Sequence, residues 1–191
     1  MNENIENIKK KLLNYFLEKI HKSRFLTIKK SIFLENLVAR LRGKKVRFSL
    51  STNKKLIKVS DSGLIIYYSK NFRSFWLYRN GINNRGSFLF KSYCLHQINF
   101  NINDIVFDCG ANSGDLFWGL SKYIPIENYF AFEPNPSDFE NLKINYAKAK
   151  LINKALGKEN SKLDFFVASE EADSSILETE KYSKKIQIDV I

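Results

Sequence analysis

Three stretches of this 191-residue chain predict an α/β fold. The first, residues 103–123, opens on an apolar run (Ile105, Val106, Phe107) and passes Asp108 into a polar turn holding Gly110 and Gly114. It continues into Leu116, Phe117, Leu120 and Tyr123 at helical spacing. The second, residues 129–132, is apolar and ends on Glu133, with Pro134, Asn135 and Pro136 behind it. The third is the short run Leu151 and Ile152, which ends on Asn153. A strand, a glycine turn and a helix, repeated into further strands, begin a parallel sheet whose ligands sit at its carboxyl edge. Helices (residues 1–44) and a small antiparallel β region with lead-in helices (residues 45–100) precede this part (residues 101–191).

Composition is that of a folded chain. An apolar content of 44% and an aromatic content of 14% supply a core. Cys94 and Cys109 form neither a C-x-x-C pair nor a zinc pattern, and Cys109, at a strand end, is expected to be a small buried residue. His21 and His96 are isolated, so no metal site is expected. Neither a signal-peptide core nor an apolar run of membrane-spanning length is visible, which gives cytoplasmic localisation as the expectation. Charge is unevenly placed within the net +11. Residues 1–100 carry 21 Lys and Arg against 5 Asp and Glu, and residues 101–191 carry 10 against 15. A basic front half suits an anionic partner, such as a nucleotide-sugar or lipid-linked glycan phosphate or an anionic membrane, with nucleic acid not expected. The simpler reading is a solvated, Lys-rich surface.

Residues 3–21 place Ile5, Ile8, Leu12, Phe16 and Ile20 near a 3.6-residue period. A second helix is predicted over residues 29–42, with Ile32, Phe33, Leu37 and Leu41 as its apolar stripe and Gly43 as its stop. Basic amphipathic helices lie on anionic membranes or, more commonly, pack their apolar face on the parent domain. Residues 45–69 read as an antiparallel meander with turns at residues 52–54 and 60–63. Residues 72–79 and 86–97 read as helices joined by a loop over residues 80–86, a candidate to lie near the substrate. A helix over residues 137–149 follows Glu133. Residues 155–162 are too short and polar for a crossover helix, so residues 163–167 should pair through a turn. Residues 169–184 read as loop with Ser174, Ser175 and Ile176 its most ordered part, and residues 186–190 read as a last strand.

The turn carries the chemistry. Glycine reaches positive φ and lets a ligand approach the backbone, and the helix behind it should aim free N–H groups at that ligand. The spacing D-x-G-x-x-x-G is neither the G-x-G-x-x-G of a dinucleotide site nor a phosphate loop. An acid before the turn suits a ligand with a cation and hydroxyls, as in S-adenosylmethionine. Glu133 lies 19 positions past Gly114, the separation at which an acid ending the second strand meets ribose hydroxyls. The competing reading is that the glycines serve folding alone.

Together, D-x-G-A-N-x-G, A-F-E-P-N-P and N-x-A-L-G (residues 153–157) resemble the FkbM-type S-adenosylmethionine-dependent methyltransferases. The resemblance runs from about residue 81 to the C-terminus. It implies a Rossmann-like class I methyltransferase sheet and O-methylation of a sugar or other hydroxyl of a glycan or natural product. It also implies cofactor contacts from Asp108, Gly110, Asn112, Gly114, Glu133 and Asn153, the last near the adenine. The strand expected on the far side of the first, with its D-V-E-G signature, is missing, so only the first half of that sheet is expected and the first strand should expose an apolar edge. Alternatives are a truncated non-catalytic remnant or interaction module and, more weakly, a nicotinamide-dependent sugar-modifying enzyme. No catalytic base is identifiable.

Overall fold

Residues 15, 19, 26–69, 73–168, 174–178 and 182–191 are described by a computed structural model. The helix expected over residues 3–21 lies outside them except for Tyr15 and Lys19, both helical, and half of the loop expected over residues 169–184 lies outside them too, while residues 182–184 of that stretch are strand rather than loop.

Helix α1 spans Ile28–Leu41. Thr27 caps it by accepting from the Lys30 N–H at 3.4 Å, and Gly43 at φ +62° follows its end. Its length matches the sequence reading, but its orientation is a correction. The side turned inward carries Ser31, Glu35, Val38 and Ala39, while Phe33, Leu37 and Leu41 are 72%, 42% and 78% exposed. The physical reason is Glu35, held in a buried two-pronged pair with Arg79. Arg79 Nη2 lies 2.6 Å from Glu35 Oε1, and Nε lies 3.1 Å from Oε2.

Strands β1 (Arg47–Leu50), β2 (Leu56–Asp61) and β3 (Leu64–Ser69) form the antiparallel meander, in that order. Phe48, Ile57, Val59, Ile66 and Tyr68 alternate inward from it. The second turn is tighter than expected, because β2 continues through Asp61 and leaves Ser62 and Gly63, both at positive φ, as the hairpin tip. Asparagine amides finish both edges of this sheet. Asn36 exchanges two 2.8 Å bonds with the Phe48 backbone, and Asn145 does the same with Tyr67 at 2.8 and 2.9 Å. Each amide stands in for a missing neighbouring strand.

Helices α2 (Arg73–Tyr78) and α3 (Ile82–Ser92) follow, with a 3₁₀ turn at Leu95–Gln97. The loop expected over residues 80–86 is therefore mostly the first turn of α3. Its initiating acceptor is remote in sequence: Asp61 Oδ2 receives the Ile82 N–H at 3.0 Å. Gly81 sits at φ +107°, and a Cβ there would come within 2.5 Å of that same oxygen.

The back half contains β4 (Val106–Cys109), α4 (Phe117–Leu120), β5 (Tyr129–Phe132), α5 (Pro136–Asn145) and β6 (Lys150–Ile152). The three strands are parallel in the order β4-β5-β6, with Phe107 opposite Phe130 and Phe130 opposite Lys150. One core gathers α1, the meander and α2; another gathers Phe90, Phe117, Leu120, Tyr129, Ala131, Leu142 and Tyr146, and Trp118 packs against both. Helices α3 and α4 meet at two glycines, where a Cβ on Gly86 would lie 2.7 Å from the Gly119 nitrogen.

The other face of the parallel sheet is open at Phe107 but covered at Phe132, which is only 7% exposed. Phe107 is 58% exposed, with its ring 5.0 Å from that of Phe130, and Lys150 Nζ stands 4.4 Å above the Phe130 ring. Cys109 shares this face and is exposed, which corrects the expectation of burial. Among the described residues no strand pairs with the outer edge of β4.

Strands β7 (Ser161–Ala168) and β8 (Tyr182–Val190) pair antiparallel as a sheet of their own, so residues 163–167 do not continue the parallel sheet, but their partner is the last strand rather than one reached through the 155–162 turn. Ser175 exchanges backbone bonds with Phe166 at 2.8 and 3.1 Å. Ala155 joins the end of β8 in a short parallel bridge.

Candidate functional site

The carboxyl ends of β4, β5 and β6 bring four of the six expected residues into one bonded cluster. Glu133 is its centre. Its Oε2 accepts the Asn112 N–H at 2.7 Å, its Oε1 accepts the Asn135 N–H at 2.8 Å, and its own N–H donates to the Ile152 carbonyl at 3.0 Å. Asn153 donates from Nδ2 to the Glu133 carbonyl at 2.7 Å. Gly110 donates to the Phe132 carbonyl at 2.8 Å, one residue before Glu133. Gly110, Asn112, Glu133 and Asn153 are thus a single unit, spanning all three strand ends.

The other two residues face elsewhere. Asp108 lies on the core side of β4 and accepts a hydrogen bond from the buried Tyr129 hydroxyl, while burial raises its pKa above the usual carboxylate value. Gly114 is turned into the core: a Cβ there would lie 2.1 Å from the Tyr146 ring and 2.9 Å from Leu142. Gly110, at φ +88°, has nothing within 4 Å of the same construction. The two glycines of the motif therefore do different work, and only Gly110 leaves open space for a close backbone approach.

A further difference from the sequence reading lies in the turn's donors. The helix behind it is only four residues long, Phe117–Leu120. Every N–H from Gly110 to Gly114 has an acceptor inside the protein. Gly110 and Ala111 donate to Phe132 O, Asn112 to Glu133, Ser113 to Asn112 Oδ1 at 3.0 Å, and Gly114 to Ala111 O at 2.8 Å. A phosphate held by a ring of backbone amides has no donors left here.

Glu133 is only 5% exposed, and burial raises its pKa to about 7 against the pull of its two backbone hydrogen bonds, which favour the ionised form. An acid placed to meet ribose hydroxyls is expected to stand open to the ligand. Instead Glu133 ties the glycine turn to the Pro134–Asn135–Pro136 segment. A carboxylate offers about four acceptor positions, so the two backbone bonds leave acceptor capacity for a ligand's hydroxyls.

Three supporting residues escaped the sequence reading. Asn135 caps α5, accepting the Ser137 N–H at 3.1 Å and donating to Asp138 Oδ2 at 2.7 Å; the Asn-Pro-Ser-Asp string carried that signal. Tyr68, from the meander, donates to Asn112 Oδ1 at 3.1 Å. Asp115, 5% exposed, accepts from the Tyr78 hydroxyl and pairs with Arg85 Nε at 3.0 Å. Burial, first, and the nearby Asp115 charge raise the pKa of Tyr78 well above its ordinary value, so it stays a donor. These bonds join a front-half meander and two helices to the turn, a link that no local pattern shows. Behind it, the buried atoms Ser113 Oγ, Trp118 Nε1 and Tyr146 Oη have no hydrogen-bond partner among the described residues.

Among the described residues no group of three or more His, Cys, Asp or Glu is placed to hold a metal ion, and no helix is long and apolar enough to cross a membrane. Compared with known proteins, the chain matches no family model, no curated protein and no solved structure.

Proposed function

We propose that this chain binds S-adenosylmethionine at the Gly110–Asn112–Glu133–Asn153 cluster, in the manner of a Rossmann-like, FkbM-type O-methyltransferase acting on a sugar or other hydroxyl. One observation carries the reading: an open, positive-φ glycine ends one parallel strand, and a buried acid ends the next. That pair suits a ligand with a ribose diol beside a compact polar tail. The internally bonded turn amides speak against a pyrophosphate, and hence against the nicotinamide reading.

In this reading Gly110 admits the ligand's backbone-side edge and Glu133 accepts from ribose hydroxyls. Asn153, exposed at the end of β6, borders the base. The bound cofactor supplies a methyl group activated on a sulfonium. The protein's part is to orient an acceptor hydroxyl against it. Asp108, engaged by Tyr129, stabilises the base of the turn rather than meeting the ligand.

A second reading, that the turn is kept for folding in an interaction module, is favoured by Gly114, whose packing against Tyr146 is structural. Thermal melting separates the two. S-adenosylhomocysteine at about 100 times its dissociation constant should stabilise the protein by about 2.7 kcal/mol, whereas NAD should leave the melting temperature unchanged. Stabilisation by NAD alone would overturn the methyltransferase reading, and no shift with either ligand would favour the interaction module.

A further inference from the structure

Helix α1 packs Ile28 and Ile32 against the core but turns the rest of its apolar stripe to solvent. Phe33, Leu37 and Leu41, at intervals of four residues, are 72%, 42% and 78% exposed. At about 100° per residue they share roughly a third of the helix circumference with Lys29, Lys30 and Arg40, all exposed. No acid of α1 itself offsets those cations, because Glu35, the helix's only acid, is buried against Arg79. A helix that buries a charge and shows three large apolar side chains is unusual for a surface that meets only water.

We infer that the outer face of α1 docks on an anionic phospholipid surface. Phe33, Leu37 and Leu41 would enter the boundary between headgroups and acyl chains, with Lys29, Lys30 and Arg40 at the level of the lipid phosphates. Charge selects this occupant over two others. Residues 1–25, the adjoining part of the chain, carry six Lys and Arg against three Glu, so they are themselves basic and a poor complement to a basic face. A nucleic acid would satisfy the cations and leave Leu37 and Leu41 in water. An anionic bilayer satisfies both halves of the stripe. The surrounding charge acts in the same direction, since residues 1–100 hold 21 Lys and Arg against 5 Asp and Glu. The inference uses a face remote in sequence from the Glu133 cluster and stands independently of the cofactor reading.

Co-sedimentation of the full chain with phosphatidylcholine vesicles, with and without phosphatidylglycerol, tests it. Binding is expected only to the anionic vesicles and should weaken steeply with added salt. Two variants keep the test decisive, with melting curves to show that each is folded. The triple change Phe33→Ser, Leu37→Ser, Leu41→Ser removes the apolar contact, and Lys29→Glu with Arg40→Glu reverses two cations. Each should lower partitioning by about tenfold or more. Four results would overturn the inference: no binding to anionic vesicles at low salt, equal binding to neutral ones, binding indifferent to the triple serine change, or retention on single-stranded RNA without retention on vesicles.

Discussion

Glu35→Ala is expected to destabilise the protein by about 3–5 kcal/mol, the cost of removing one partner from a buried ion pair. Both side chains are shielded, Glu35 at 1% and Arg79 at 7% exposure, and two hydrogen bonds join them. The substitution would leave the Arg79 guanidinium buried without that carboxylate, with the Arg42 charge close enough to interact with it. Urea unfolding measures the loss. A double change, Glu35→Leu with Arg79→Met, should recover much of it, since matched apolar residues avoid burying any charge. A loss below about 1 kcal/mol for Glu35→Ala would mean that the pair behaves as a surface bridge and that α1 is not anchored by it.

Gly114→Ala should cost nearly as much, about 2–5 kcal/mol. A left-handed backbone charges an alanine about 1–2 kcal/mol, and overpacking adds about 1–3 kcal/mol. The new Cβ would meet the Tyr146 ring at 2.1 Å, and that ring is itself packed against Phe117 and Tyr129. Gly110→Ala is the matched control, for its φ is +88° with open space around it. It should show the backbone cost alone and spare the core. Equal losses at the two positions would show that packing behind the turn matters less than its backbone shape.

The contrast between those glycines explains what the sequence could and could not reveal. The strands ending on Asp108, Glu133 and Asn153 were legible because each is a short apolar run with a polar terminus, and their parallel order agrees with the reading. Spacing also placed Gly110, Asn112, Glu133 and Asn153 at one sheet edge. It could not say that Gly114 faces Tyr146, because the residue that fills that space lies 32 positions away. The outward face of α1 was illegible for a related reason. Periodicity assigns the apolar stripe to the core, and only the distant partner Arg79 makes Glu35 the better buried residue. Asp61, which caps α3 across 21 residues, turned an expected loop into helix. Cys109 looked buried because strand ends in parallel sheets are usually covered on both faces; here the Phe107 face is open. Long-range partners decided the cases of Gly114, α1 and α3, where local pattern failed.

Titration calorimetry with S-adenosylhomocysteine across neutral pH, on the unmodified chain and on Glu133→Gln, tests the cofactor site most directly. Burial places the Glu133 pKa at about 7, above the ordinary 4.5, so the folded chain holds a proton that the unfolded chain releases. That contribution to stability is complete below about 4.5 and fades as pH rises to about 7. Ligand binding should run the other way, because ribose hydroxyls donate to the ionised carboxylate. Affinity is expected to rise about tenfold from one pH unit below the Glu133 midpoint to one unit above it. Glu133→Gln, which keeps one acceptor oxygen, should weaken binding by about one to two powers of ten and remove the pH dependence. Glu133→Ala should weaken it by up to about three powers of ten. Loss of the Asn112 and Asn135 bonds makes Glu133→Ala costly to the fold as well, so its denaturation curve belongs beside the titration. Binding that is flat with pH and indifferent to Glu133→Gln would place the ligand elsewhere, and no binding by the unmodified chain would contradict a cofactor site at this turn.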